Sequence, residues 1–117
     1  MTRDPFWMMS GALCGVISAA AGLDLWYPGM AFVAAFVGDI IGPLGARLVE
    51  KFGIDDAVGA VSVHGLCGVL GLLAVGIFMG CYPGHDPSTT PAISLYGQFM
   101  GGIVMGLLGF IPGFVFA

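Results

Sequence analysis

Four apolar stretches, each opened by a proline or an aspartate, leave this chain one class of fold. Of its 117 residues, 58% are hydrophobic and 9% charged. A soluble domain carries roughly 25% charged residues. A chain this short cannot hide so much apolar surface in one core, so it reads as a polytopic membrane protein. The 21 glycines agree with that reading. Small residues let helices approach closely where lipid supplies no hydrophobic drive for association. The expected fold class is all-α: a membrane helix bundle of four transmembrane helices.

Proline and aspartate set the expected boundaries. Asp4-Pro5 reads as an N-cap followed by proline at the first helical position, and the first span runs over about 5–22. Asp24, Trp26, Tyr27 and Pro28 form a turn, with the two aromatics at the membrane interface. The second span runs over about 28–51, with Gly53 as its C-terminal stop. The third begins at Asp55 or Asp56 and runs to about Gly80. After the polar loop CYPGHDPSTT, Thr90-Pro91 repeats the cap-and-proline signal, and the fourth span covers 91–117. It closes on Phe116-Ala117 with no polar tail, which reads as a piece of a longer protein or a truncated reading frame.

Charge fixes an expected direction. Arg3 precedes the first span, while Arg47 and Lys51 close the second. Four spans put both groups on one side, and positive residues prefer the cytoplasm. Both ends of the segment and the turn at 50–56 are therefore expected inside a multi-pass cell-membrane protein. A net charge of −4 with three basic residues excludes a nucleic-acid partner. Cys14, Cys67 and Cys81 show no metal-ligand spacing, so neither a disulfide framework nor a zinc site is expected. No catalytic constellation is present, and no cofactor is implied.

His64 stands apart because ionisable side chains inside a membrane are costly and commonly functional. With the span starting near Asp55, His64 would lie roughly 14 Å along a helix rising about 1.5 Å per residue. Its helical neighbours would be Ala57, Ala60, Val61, Cys67, Gly68 and Gly71, an almost entirely small face. Such a face either packs tightly on another helix or leaves a narrow lumen beside the imidazole. The bland alternative is a neutral histidine hydrogen-bonded across a helix interface. Burial favours the neutral ring, which has one donor and one acceptor and suits a small polar solute.

The run IDDAVGAVSVHGLCGVLGLLAVGIF, Ile54 to Phe78, resembles the span of ammonium transporters (the Amt/Mep/Rhesus family) that carries the second of two pore histidines. The opening DPFWMMSGALCGVISAAAGLD resembles an earlier span with an N-G-A-L-A-G-like segment, here Ser10-Gly11-Ala12-Leu13-Cys14-Gly15. The resemblance covers essentially the whole chain and implies the last four of eleven spans, 1–117 being the C-terminal part of the transporter domain. It implies ammonium or ammonia as the solute and a homotrimer with one pore per subunit. It places His64 at the second pore histidine, Ala60 on the lumen and Asp56 at the cytoplasmic start of the same helix. The first pore histidine, the external recruiting residues and the phenylalanine gate belong to earlier spans. A cytoplasmic tail that would meet a regulatory protein is also absent. A four-span piece is then expected to be inactive alone.

Other polar residues carry two readings each. Asp39 in the second span is a proton site, or a protonated or hydrogen-bonded group where Pro43 opens the backbone. Asp56 and Asp55 attract cations at a pore exit, or cap a helix. His85 and Asp86 are too few for a metal site. Gly102, Gly106, Gly109 and Gly113 form a close-packing stripe. The rival function is an ammonium-sensing or assembly module that signals without transport.

Overall fold

The structure, a computed structural model, describes residues 5–81 and 93–116. Its elements are α1 (Pro5–Ala20), α2 (Pro28–Lys51), a π-helix π1 (Val61–Leu66) that continues as α3 (Cys67–Cys81), and α4 (Leu95–Phe116). Among the described residues there is no strand, so the all-α expectation holds. Among the described residues, three helices are long and apolar enough to cross a membrane: Pro28–Lys51, Val61–Phe78 and Leu95–Phe116. The apolar part of α1 is shorter, Met8–Ala20. The chain divides into two compact units, 1–71 and 72–117.

In the first unit, α1, α2 and π1 pack on one another through small residues. The buried residues of α2 are Ala34, Gly38, Gly42, Gly45 and Ala46, spaced by three and four along one face. That spacing is the small-residue stripe which lets backbones meet. A side chain added at Gly38 would strike Ser18 and come 2.8 Å from the Cys14 carbonyl oxygen. One added at Gly42 would strike the Cys14 sulfur. Cys14, Val63 and Cys67 form the centre, with Ile17 against it. Ser18 Oγ donates to the Cys67 carbonyl oxygen at 3.4 Å, tying α1 to the start of α3.

The ends of the elements follow local chemistry. α1 stops at Ala20, two residues before the expected end. Gly22, Leu25 and Trp26 then close tight turns, with Gly22 N–H bonding Ala19 O and Trp26 N–H bonding Gly22 O. Trp26 lies buried over Gly22, whereas Tyr27 is exposed. Tyr27 is the extended residue before α2, and Pro28 takes the first helical turn. At the other end, Gly53 (φ +76°) sends its N–H to Glu50 O, and Ile54 sends its own to Val49 O. This pair of bonds is the Schellman stop, and glycine supplies the left-handed residue it needs.

In the second unit, α4 is capped by Ser94, whose Oγ accepts the Gly97 N–H at 3.0 Å. Thr90 and Pro91, the expected cap, lie outside the described residues, as do His85, Asp86, Arg3 and Asp4. No described residue of α4 is buried. Along the expected packing stripe, Gly106, Gly109 and Gly113 meet nothing within 4 Å among the described residues, while Gly102 approaches Leu72 at 3.7 Å.

Candidate functional site

The segment between α2 and π1 determines how His64 is presented. Ile54 to Gly59 is not helical, so the third helix does not begin at Asp55 or Asp56. Gly59 N–H closes a turn onto Asp56 O at 2.9 Å, and Gly59 has φ +69°. A left-handed residue cannot continue a right-handed helix. The helix therefore starts after Gly59, and His64 is the fourth residue of π1 rather than the tenth of a longer helix.

Asp56 closes this start from outside. Its carboxylate accepts Val61 N–H at 3.1 and 3.2 Å, Ser62 N–H at 3.2 Å and the Ser62 hydroxyl at 3.2 Å. These are donors of the first turn, which have no partner inside the helix. Burial pushes the Asp56 carboxyl up, but the hydrogen bonds from Val61 and Ser62 outweigh it and hold the group below its ordinary value. The capping reading of Asp56 thus has direct geometric support. Ser62 is a partner in this cap that the sequence did not single out. Its hydroxyl also sits 3.2 Å from Gly59 O, so it bridges the cap and the turn. The signal was a serine six residues after an aspartate, which fits no standard capping spacing.

His64 and Ala60 are both exposed, as are Val61 and Gly65. Ser62, Val63 and Cys67 face the other way and are buried. This corrects the expected face: Cys67 and Gly71 do not share the side of His64. Cys67 is fully buried, and a side chain at Gly71 would come 2.7 Å from Ser18 O. Ala57 precedes the helix altogether. The reason is the π-helix itself. Its i→i+5 bonding widens the turn, so each residue advances through a smaller angle and His64 rotates away from Cys67. π-turns inside α-helices recur at functional sites.

Asp39 sits midway along α2 and is exposed. Its carboxylate lies against Gly15 of α1, beside the Ala35 carbonyl oxygen. Pro43, four residues on, has no N–H to give the Asp39 carbonyl. Asp39, His64 and Asp56 are not brought together, and among the described residues no three metal-ligating side chains gather.

The sequence relations fit this frame. Residues 3–117 match the model of the Ammonium Transporter Family. The chain belongs to the ammonium transporter family. It is 37% identical over 106 residues to sll1017 of Synechocystis sp., a relative named as an ammonium transporter, covering 91% of this chain and 22% of that protein. It is 34% identical over 112 residues to ammonium transporter Amt2 of Archaeoglobus fulgidus, covering 92% of this chain and 23% of that protein. With ammonium transporter Amt1 of Methanocaldococcus jannaschii it shares 28% identity over 115 residues, covering 97% and 28%. The chain thus spans about a quarter of the length of these curated relatives. No solved structure matches it significantly. As a member of this family with three membrane-length apolar helices, it is a membrane-embedded protein.

Proposed function

We propose that this chain forms one wall of a pore that passes ammonium or ammonia, with His64 as one of two paired imidazoles and Ala60 beside it on the lumen. Residues 1–117 act as the C-terminal four spans of a larger transporter domain. One observation carries the reading. The helix bearing His64 is anchored on one side by Val63 and Cys67, and it presents the imidazole on the other, exposed side. Family membership and the names of the relatives support the solute. In the pore, a neutral imidazole holds one donor and one acceptor, so a pair of them lines up a small solute and passes a proton. Asp56 serves by capping: it fixes the turn that aims His64. The complete assembly is a homotrimer in the cell membrane, with both ends of this segment cytoplasmic and a regulatory partner meeting its cytoplasmic tail. By itself the four-span chain conducts nothing.

The test is His64→Ala in the complete transporter, read as ammonium current and selectivity. Loss or uncoupling of the current is expected. A current that stays electrogenic and selective would remove His64 from the pore.

A further inference from the structure

Cys14 of α1 and Cys67 at the start of α3 are both fully buried. Their sulfurs converge on the same point of α2. A side chain at Gly42 would strike the Cys14 sulfur and lie 3.2 Å from the Cys67 sulfur. Around them are Val63, Ile17 and the Gly38 carbonyl oxygen, 3.9 Å from the Cys67 sulfur. We propose that Cys14 and Cys67 form a two-thiolate site for a soft, two-coordinate metal ion, of which mercury(II) is the best fit.

Three arguments choose the ion. Thiolates select soft metals. Among the described residues no third metal-ligating side chain joins the pair, so ions that need four ligands, such as zinc, are excluded. Charge decides the rest. With mercuric chloride as the source, two S–H and two Hg–Cl bonds break, two S–Hg bonds form, and two protons and two chlorides leave to the buffer. Nothing is oxidised or reduced. The site is neutral before and after, and a neutral site avoids the cost of a bare charge in an apolar interior. A monovalent soft ion held by two thiolates would leave a net negative charge there. The metal bridge would fasten α1 to the helix three residues beyond His64.

The experiment uses the full chain with Cys81→Ser, in lipid bilayers, titrated with mercuric chloride alone. Thiolate-to-mercury absorption and a free-thiol count give stoichiometry, and X-ray absorption gives the ligand number. One ion per chain, two thiols consumed and two sulfur neighbours are expected. Cys14→Ser and Cys67→Ser should each weaken binding by about a hundredfold or more, because the second thiolate acts at high effective concentration. Two ions per chain, mercury-linked dimers, or undiminished binding in the double variant would each overturn the site. If a variant loses helix content, the sulfur count in the chain retaining both thiols still decides. No transport is measured, so the outcome is independent of the pore reading.

Discussion

Asp56 accepts from two backbone N–H groups and one hydroxyl at the start of π1, and Gly59 bends the chain so that they can reach it. Asp56→Ala should destabilise the first unit by about 1 kcal/mol, the usual worth of a lost cap, seen as a lower midpoint in thermal unfolding. The carboxyl is held below its ordinary value in the folded chain. Its contribution is therefore complete above the unfolded carboxylate range and is lost as pH falls through the lowered folded value. The stability gap between the native chain and Asp56→Ala should shrink in acid and stay level near neutrality. A gap that grew in acid would contradict the hydrogen-bond geometry. At this scale the sequence offered residue types but not partners. Asp56 was legible as a cap, yet the donors lie five and six residues on, because Gly59 delays the helix.

At the scale of elements, α2 is a small-residue face between α1 and π1. Gly42 has the Cys14 side chain directly over it, with the Cys67 sulfur at 3.2 Å. Gly42→Val should overpack this junction and cost about 1–3 kcal/mol, measured as easier unfolding in denaturant, while Gly106→Ala on the open part of α4 should change little. Equal effects at both positions would mean that α1 and α2 do not meet as described. The α2 boundaries were readable because Pro28 and Gly53 have backbone preferences that act locally. The π-turn was not readable. VSVHGL has no residue that demands i→i+5 bonding, so the strip holding His64 was misjudged until π1 separated it from Cys67 and Gly71.

For the whole molecule, an apolar chain of this kind has its lowest free energy in a bilayer. It should stay with membranes through an alkaline carbonate wash, and vesicles holding it alone should take up no methylammonium. Release into the wash would contradict the membrane assignment. Uptake by the isolated chain would overturn the proposal that further spans complete the pore.

The sequence alone determined the helical membrane class and the α2 boundaries. Composition and the backbone limits of proline and glycine act through near neighbours, so one strand of letters carries them. Tertiary structure decided where the third helix starts, which way His64 faces and which residues share its side. Those depend on a carboxylate reaching donors five and six residues on across the Gly59 turn, on thiols from two helices meeting over Gly42, and on the phase shift of a π-turn. Each joins groups whose contact no local pattern records.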